Sequence, residues 1–326
     1  MKISIAMATY NGAKYIKEQL ESFVKQTKLP DELVITDDCS NDKTIDIVKE
    51  FANSAPFKVY LFKNDKKLGY TGNFNAALSR TNGDLVFLSD QDDVWFPEKI
   101  EFIYNLSINQ PDKLALMNDV LLTDEFLNPT KLTKLGQINS AGLPMKSYVM
   151  GCASAVRREL LEMCLPIPEG FKGHDNWLIE FADRLGGKFV SEKVLQFYRR
   201  HGQNTSAFIA NRTTKISRMS LLSDNIKYLF KNKMSKDEQY EAAIAQLNLY
   251  ATSLVSLIDK APIKYKQALI DFSNNIKSQI SVIELRRNIN KQNLFKRLVL
   301  IRKLYKQGGY NYTSGIKAIL LDISGL

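Results

Sequence analysis

The chain has 326 residues, of which 44% are hydrophobic, and a formal net charge of +10. This composition supplies a core for one large domain or two smaller ones, and no apolar stretch is long enough to span a bilayer. The three cysteines, at positions 39, 152 and 164, lack metal-type spacing and predict a reducing, cytosolic compartment. Thr9, Tyr10 and Asn11 interrupt the apolar run near the start, so we expect no signal peptide.

The first ninety residues alternate short apolar runs with segments of helical spacing. We predict strands at residues 3–8, 33–36, 57–62 and 85–88, with helices between them. This order predicts a parallel sheet with helices on both faces. Further strands are predicted at residues 114–117, 148–156 and 187–197, and residues 127–145 are interpreted as a long connection.

Polar side chains follow the predicted strands. Thr9 and Asn11 follow the first, Asp38 follows the second, and Asp90 and Asp92 follow the fourth. In open α/β sheets, ligands bind beyond the carboxyl ends of the strands, so we expect these groups to share one site. Neighbouring carboxylates repel unless a cation lies among them, and oxygen ligands suit Mg²⁺ or Mn²⁺. The alternative is a solvated acidic turn that caps the next helix.

The segment before the fourth strand contains Lys66, Lys67 and Asn73, which are candidates to contact phosphate or sugar. The alternative for the two lysines is a solvated basic loop. There is no Gly-x-Gly-x-x-Gly after the first strand and no Gly-x-x-x-x-Gly-Lys, so we expect neither a dinucleotide site nor a P-loop.

Three motifs occur in order: MATYNG at residues 7–12, DDCSND at 37–42 and FLSDQDDVWFPEKI at 87–100. With them, residues 1–205 resemble the family 2 glycosyltransferases. The longer string SDQDDVW, with the later HDNW and YRRHGQN, is similar to bacterial rhamnosyltransferases of cell-surface polysaccharide assembly. The resemblance implies a GT-A nucleotide-diphospho-sugar transferase fold over 1–205, followed by a helical, basic region over 206–326.

The implied activity is metal-dependent, inverting transfer of a sugar from a nucleoside-diphosphate donor to a saccharide or lipid-linked acceptor. The resemblance favours dTDP-rhamnose as donor, and a UDP-hexose such as glucose, galactose or N-acetylhexosamine is the alternative. Thr9, Tyr10 and Asn11 would hold the nucleotide, and Asp38 would accept a hydrogen bond from N3–H of uracil or thymine.

The resemblance also implies which residues bind the diphosphate and its Mn²⁺ or Mg²⁺ ion. Asp92 would bind the metal directly, and Asp90 would reach the ribose, or the metal through water. Asp93 is expected to face away or to cap the next helix. After the last strand, Arg200 or His201 would contact the diphosphate or the metal.

The acidic pair that supplies the catalytic base in the family is His174-Asp175 here. Asp175 is predicted to take the proton of the acceptor hydroxyl, with helix capping as the alternative. His174 departs from the family pattern, and its role stays open between a supporting residue, an acceptor contact and the base itself. Trp95 is a candidate for stacking on a sugar or for core packing. The residues assigned to the acceptor side are Trp95, Gly151, Cys152 and Trp177.

The C-terminal part is predicted to be helical, because apolar residues recur at helical spacing over 221–229 and 244–254. Residues 285–321 contain nine Lys or Arg residues and no Asp or Glu. Over 286–306 these alternate with apolar residues, which is typical of a basic amphipathic helix on an anionic membrane surface. We therefore predict a cytoplasmic protein held peripherally on the inner face of the cell membrane. The alternatives are a helix packed on the catalytic domain and a homo-oligomer contact.

Other function classes fit less well. In a phosphatase of the haloacid dehalogenase type, the Asp-x-Asp pair follows the first strand, whereas here it follows the fourth. Basic residues alone give only sequence-independent attachment to nucleic acid, and no nucleic-acid-binding motif is present, so we expect no such partner. A non-catalytic nucleotide-binding or nucleic-acid-binding protein is the alternative from a different class.

Overall fold

The computed structural model describes residues 1–202, 204, 206, 208–217, 235–313 and 315–324. The chain divides into two compact units, Met1–Leu229 and Phe230–Leu326. The predicted boundary at 205/206 lies earlier than this division. Residues 212–216 hydrogen-bond to Gln137 of the first unit: Gln137 Nε2 donates to the carbonyls of Arg212 (2.9 Å) and Thr214 (2.7 Å), and Ile216 N donates to Gln137 Oε1 (3.0 Å).

The first unit contains one mixed, nine-stranded sheet. Its strands are β1 (Ile3–Thr9), β2 (Glu32–Asp37), β3 (Lys58–Lys63), β4 (Leu85–Ser89), β5 (Val94–Trp95), β6 (Ala115–Thr123), β7 (Pro129–Thr133), β8 (Ser154–Arg157) and β9 (Lys188–Arg199). Their order is β3-β2-β1-β4-β8-β6-β9-β5, with β7 paired to β6. Strands β1 to β4 pair in parallel, as does β6 with β9, whereas β5, β7 and β8 pair antiparallel. The predicted mainly parallel sheet is thus confirmed, with antiparallel additions.

Seven helices of the described part of the first unit flank this sheet. They are α1 (Ile16–Val24), α2 (Thr44–Ala52), α3 (Gly69–Leu78), α4 (Lys99–Asn109), α5 (Lys134–Ala141), α6 (Arg158–Cys164) and α7 (His174–Arg184). The interpretation of residues 127–145 as a plain connection is wrong, because β7 and α5 lie within it. Thr133 supports α5 by accepting a hydrogen bond from Gly136 N at its first turn.

The predicted strand over 148–156 is also wrong in its first part. A 3₁₀ turn occupies Gly151–Ala153, and only Ser154–Arg157 pairs as β8. The carbonyls that a strand would offer to a neighbour are used by lysine side chains instead. Lys134 Nζ donates to the Val149 carbonyl and Lys99 Nζ to the Cys152 carbonyl, both at 2.9 Å.

The parallel register explains why the strand ends share one edge. Thr9 lies opposite Asp37 between β1 and β2, and Met7 lies opposite Ser89 between β1 and β4. The interiors of these strands are buried on both faces of the sheet, and most of their side chains are apolar, so polar groups can reach a ligand only beyond the strand ends. The core therefore fixes the polar residues after β1, β2 and β4 at one rim.

The second unit is helical, as predicted. Its described helices are α8 (Lys236–Lys260), α9 (Ile263–Asn290), α10 (Leu294–Lys306) and α11 (Ile316–Ser324). The predicted helical spacing over 221–229 falls outside the described residues, and that over 244–254 lies in α8. The basic segment 286–306 is the end of α9, a turn and α10 rather than one helix, because Asn293 caps α10 by accepting from Lys296 N.

Buried ion pairs and apolar contacts hold the described helices of this unit together. Arg286 Nε lies 2.7 Å from Asp322 Oδ2, and Tyr310 donates to the same carboxylate at 3.0 Å. Ile301 and Leu304 of α10 pack in a buried cluster with residues of α9 and α11. In the described ranges, none of the helices combines the length and the apolar character needed to cross a membrane.

Candidate active site

A cavity of about 760 Å³ lies beyond the carboxyl ends of β1, β2 and β4. Two sets of side chains line it. The β1 set follows those strands or lies on α3, and it includes Tyr10, Asn11, Asp38, Asn73, Asp90 and Asp92. The α7 set comes from α5, the 3₁₀ turn, α7 and the segment after β9, and includes Lys134, Gly151, Cys152, His174, Asp175 and Asn211.

The loop after β1 is tied to the Asp-x-Asp motif by Gln91. Tyr10 N donates to Gln91 Oε1, and Gln91 Nε2 donates to the Tyr10 carbonyl, both at 3.0 Å. Asn11 has a positive φ of 47°, and its side chain accepts a hydrogen bond from Asn41 N at 3.0 Å. Sequence analysis missed Gln91, although its place between the two aspartates was a usable signal.

Asp38 faces the cavity and also supports the start of α3. Its carboxylate accepts hydrogen bonds from Leu68 N (2.7 Å), Gly69 N (2.9 Å) and Asn64 Nδ2 (3.1 Å). Four lone-pair sites on a carboxylate leave one acceptor position after these three bonds.

Thr9 and Asn73 stiffen the same wall. Thr9 Oγ1 donates to Asp37 Oδ2 (2.8 Å), and Asn73 Nδ2 donates to the Thr9 carbonyl (3.1 Å). The side-chain oxygen of Asn73, Oδ1, accepts a hydrogen bond from Asn64 Nδ2 at 2.9 Å, so both ends of the Asn73 amide are held. Lys67, left open between ligand contact and solvent, lines the cavity with its ammonium 4.3 Å from the Tyr10 ring centre.

The Asp-x-Asp carboxylates lie on the cavity wall. Asp92 Oδ2 is 2.8 Å from His201 Nε2 and accepts from Asn204 Nδ2 at 3.3 Å, and the His201 ring lies 4.7 Å from the Tyr15 ring. Burial, and then the neighbouring charge of Asp92, raise the pKa of Asp90 to about 7. A cation beside both carboxylates would relieve this repulsion.

Asp93 faces away from the cavity, as expected, but it caps no helix. It is buried and accepts from Gln196 Nε2 (2.9 Å) and from Arg199 N (3.2 Å). Burial raises its pKa well above the usual range. Ligand atoms of Asp90, Asp93 and Cys152 lie within 4.8 Å of one another, whereas Asp90, Asp92 and His201 form no such group in the described ranges.

The chemistry of these donors decides which of them suits a hard divalent cation. Burial raises the pKa of the Cys152 thiol, which therefore stays neutral, and the Asp93 oxygens are engaged by nitrogen donors. Of the three aspartates of this motif, Asp90 and Asp92 line the cavity, and oxygen ligands suit Mg²⁺ or Mn²⁺. The residues present thus fit such an ion at Asp90 and Asp92.

A buried lysine supports the motif from behind. The Lys99 ammonium contacts the Cys152 carbonyl and Gln196 Oε1, and it lies 3.8 Å from the Trp95 ring centre. Burial lowers its pKa to about 7. Lys99 stands in the WFPEKI part of the motif, but nothing in that local pattern showed that its side chain turns inward.

Three of the residues assigned to the site lie away from the cavity, and for Trp95 this is the core packing that the sequence left open as its alternative. Trp95 and Trp177 are buried in the core rather than exposed to the cavity: Trp95 packs on Phe23, and Trp177 donates to the Cys164 carbonyl at 2.8 Å. Arg200 does not line the cavity, because its guanidinium donates to Tyr198 Oη (3.2 Å) and the Ser206 carbonyl (3.0 Å). Its neighbour His201 does.

The α7 set brings the predicted base and the unusual histidine together. Asp175 lines the cavity at the first turn of α7, where its carboxylate accepts from Asn176 N at 2.9 Å. His174 is buried and stacks on Phe74 with ring centres 3.7 Å apart. Burial lowers the pKa of His174 to about 4, so the ring is neutral at pH 7 and a weak base. Neither of its ring nitrogens has a hydrogen-bond partner in the described structure.

Gly151 and Cys152, which the sequence analysis assigned to the acceptor side, also line this side of the cavity. A Cβ on Gly151 would lie 2.6 Å from His174 Nε2, so only glycine fits beside this imidazole. The sequence reasoning missed Lys134 and Asn211, which lie in segments interpreted as a connection and as part of the helical region.

Comparison with known proteins identifies the family. The Glycosyl transferase family 2 model matches residues 4–163. The dTDP-rhamnosyl transferase RfbG of Shigella flexneri is 38% identical over 239 residues, which cover 66% of this chain and 78% of RfbG. The UDP-Glc:alpha-D-GlcNAc-diphosphoundecaprenol beta-1,3-glucosyltransferase WfgD of Escherichia coli is 28% identical over 153 residues, 45% of this chain and 59% of WfgD.

The fold has a solved counterpart. The crystal structure of S. aureus TarS 1-349 in complex with UDP-GlcNAc matches with a TM-score of 0.51 and 18% identity, over 86% of this chain and 91% of that one. The predicted GT-A fold is confirmed by this likeness. From the matched family model and the extent of the RfbG match, we conclude that the chain belongs to glycosyltransferase family 2.

Proposed function

We propose that this glycosyltransferase of polysaccharide biosynthesis uses dTDP-rhamnose as its donor and transfers rhamnose, with inversion, to a saccharide or lipid-linked acceptor. The observation that carries the proposal is the 38% identity to a dTDP-rhamnosyl transferase over 78% of that protein's length. A UDP-hexose donor is the second candidate, supported by the similarity to WfgD, which is named as a glucosyltransferase that uses UDP-Glc.

The β1 set supplies the features that a nucleoside diphosphate requires. Asp38 keeps one acceptor position for the N3–H of thymine or uracil, and Asn64, Leu68 and Gly69 hold its carboxylate in place. The Tyr10 ring, 41% exposed and capped by Lys67, offers a flat face beside that position. Gln91 links this loop to Asp90 and Asp92, so the base and diphosphate positions are held by one hydrogen-bonded unit.

Asp90 and Asp92 would hold a divalent ion, with His201 and Asn204 fixing the Asp92 carboxylate. When bound, such an ion neutralises the charge that develops on the departing diphosphate. Arg199 contributes from behind, because its Nε donates to the Asp92 carbonyl at 2.7 Å while its guanidinium pairs with Glu18.

Asp175 would act on the acceptor. Inverting transfer is a single displacement, so one base must take the hydroxyl proton as the new glycosidic bond forms. Asp175 is suited to this role because it opens to the same cavity as Asp90 and Asp92. The glycine at position 151 leaves room for the His174–Asp175 turn to lie against the backbone on this side of the cavity.

An exposed face of α10 supports attachment to a membrane surface. Five apolar side chains are exposed at helical spacing: Leu294 60%, Phe295 78%, Leu298 45%, Val299 56% and Tyr305 65%. Ile301 and Leu304 point the other way, into the buried cluster. Basic residues Lys296, Arg302, Lys303 and Lys306 accompany the exposed face, and each Lys or Arg near anionic lipid contributes about 1 kcal/mol. This face would place the protein on the inner surface of the cell membrane, near a lipid-linked acceptor.

The donor is tested by incubating the purified chain with dTDP-rhamnose, UDP-glucose, UDP-galactose or UDP-N-acetylglucosamine, with Mn²⁺ or Mg²⁺. We expect release of dTDP that rises on adding an acceptor extract and falls on chelation with EDTA. Asp92→Asn should abolish the release, whereas Asp112→Asn, at an exposed loop position, should not. Release of UDP from a UDP-hexose alone would establish the second candidate, and no turnover of any donor would contradict both.

The membrane proposal is tested by flotation with phosphatidylglycerol vesicles. We expect binding at low salt that is lost in Phe295→Ser and Leu298→Ser and retained in the control Ile263→Ser, which removes an even more exposed apolar side chain on α9. If the variants bind as well as the wild type, the face has another role. A change in molecular mass by light scattering in those variants would indicate a homo-oligomer contact instead.

A further inference from the structure

Lys134 is a buried cation on the cavity wall that the proposed chemistry does not use. It is the first residue of α5 and is 2% exposed, yet it lines the cavity with the α7 set. Two aromatic rings lie near its ammonium, with Nζ 5.5 Å from the Tyr148 ring centre and 5.6 Å from that of Phe208. The side chain therefore holds its ammonium at a fixed point of the wall.

The hydrogen-bond capacity of this ammonium is not filled. It has three N–H donors, and among the described residues only the Val149 carbonyl accepts from it, at 2.9 Å. It makes no ion pair with a carboxylate of the described part of the chain. Burial lowers its pKa to about 8, so the group still carries its charge at pH 7.

A purely structural role explains this lysine poorly. A backbone carbonyl is satisfied by a neutral donor, and burying an ammonium without a paired anion costs several kcal/mol. Asp175 and Asp119 favour the charged form from a distance, but Asp119 is engaged with Val120 N and Leu135 N and lies outside the cavity lining. The cost is recovered if an anion enters the cavity beside Lys134.

Two uncharged side chains on the same wall as Lys134 also have hydrogen-bonding atoms without partners in the part of the chain that the structure describes. Asn211, 1% exposed, uses its amide nitrogen on Ser206 Oγ at 2.9 Å, while its carbonyl oxygen has no partner in the described ranges. His174 has both ring nitrogens without partners. Neutral groups of this type match sugar hydroxyls, so the cationic and neutral groups together suit a sugar that carries a phosphate.

We propose that Lys134 is a phosphate-binding residue of this active site, which contacts a phosphate oxygen brought in by a substrate. The inference rests on the proposed function insofar as the cavity receives both substrates. The phosphate has two candidate sources: the diphosphate of a lipid-linked acceptor, such as the diphosphoundecaprenol in the name of WfgD, and the β-phosphate of the nucleotide. The position of Lys134 among the α7 set, next to Val149, favours the acceptor.

Direct binding is measured first, with inorganic pyrophosphate as the probe and EDTA present to remove metal. We expect pyrophosphate to raise the melting temperature of the wild type and of Lys146→Met, an exposed-lysine control, with at least tenfold weaker binding by Lys134→Met. Lys134→Arg, which keeps the charge, should recover part of the effect. Equal stabilisation of all four proteins would overturn the proposal. The melting temperature of each protein without ligand shows whether the variant is folded.

Two further arms identify the source of the phosphate. Calorimetry measures dTDP binding with Mn²⁺, and kinetics compare N-acetylglucosamine on an octyl diphosphate with its phosphate-free octyl glycoside. If Lys134 contacts the acceptor, Lys134→Met should raise the KM for the diphosphate acceptor by about 10- to 100-fold and leave the KM for the octyl glycoside unchanged. This range corresponds to the loss of one charged hydrogen bond. If Lys134→Met instead binds dTDP about 10- to 100-fold more weakly than the wild type, Lys134 contacts the phosphate of the nucleotide. If Lys134→Met raises the KM for both acceptors equally and binds dTDP like the wild type, the proposal is contradicted.

The kinetic arm uses whichever donor the wild type turns over. If dTDP-rhamnose is not a substrate, the donor proposal fails while the pyrophosphate measurement still decides the role of Lys134. The two conclusions therefore fail separately.

Discussion

Replacing Gly151 with alanine tests how tightly the α7 side of the cavity is built. The new Cβ would lie 2.6 Å from His174 Nε2 and 3.4 Å from Asp175 Cβ. His174 is buried, and its ring stacks on Phe74 with 3.7 Å between ring centres, so moving the imidazole away would break this contact. The backbone of Gly151 is not in the left-handed region, so alanine itself is tolerated there and the collision alone determines the effect.

The size of the effect follows from the overlap. Overpacking a closed site costs about 1–3 kcal/mol. For a unit of this size, each kcal/mol lowers the melting temperature by about 2–4 °C. We therefore expect Gly151→Ala to melt roughly 5 °C below the wild type and to lose transfer activity, because relief requires the His174–Asp175 turn to move.

The assay is thermal unfolding with parallel measurement of donor turnover. Gly202→Ala is the matched control, since a Cβ there meets no atom of the described residues within 4 Å, and it should leave the melting temperature unchanged. In the double variant Gly151→Ala/His174→Ala, the loss of stability should be smaller than the sum of the two single losses by about 1–2 kcal/mol. Additive losses, or a Gly151→Ala protein as stable as the wild type, would refute the packing argument.

Three further predictions concern the same site. Asp175→Asn should reduce kcat by about 10²–10⁴-fold with unchanged calorimetric binding of the nucleoside diphosphate, and near-native kcat would remove Asp175 from the mechanism. The folded-state pKa of His174 is lowered to about 4 from an ordinary 6.5, so the unfolded chain binds more protons between these values, and stability is lost as pH falls from 6.5 toward 4. The share from this residue is about 2 kcal/mol between pH 7.5 and pH 5, measured by urea unfolding, and His174→Gln should remove it. Lys99→Met should lower kcat more than it raises the donor KM, because the variant releases the Cys152 carbonyl behind the Asp-x-Asp motif. A change confined to the donor KM would argue against this positioning role.

The sheet edge and its polar, ligand-binding character can be predicted from short segments of the sequence. Apolar runs of strand length end in Thr9, Asp38 and Asp90, and a parallel arrangement places such ends at one rim whatever the details of packing. The motif residues Asp92, His201 and Asp175 could also be assigned in advance, because each stands within a short string typical of the family. The structure places all three on one cavity.

Residues within the same strings are not equally predictable. Trp95 and Trp177 stand in the motifs, but a tryptophan offers the same apolar surface to a sugar and to a core. Trp95 is drawn inward by Phe23 and Phe87, and Trp177 by its contact with the Cys164 carbonyl. Arg200 and His201 are neighbours, and only the turn after β9 decides which of them faces Asp92.

The sequence by itself determined the family, the α/β order and the polar rim, because these depend on periodicity and short motifs. Only the tertiary structure decided that Lys99 and Lys134 turn inward and that His174 is enclosed. Their partners lie 53, 15 and 100 residues away in the chain, at the Cys152 carbonyl, the Val149 carbonyl and Phe74. Burial and charge compensation depend on such distant neighbours, and no local pattern of residues encodes them.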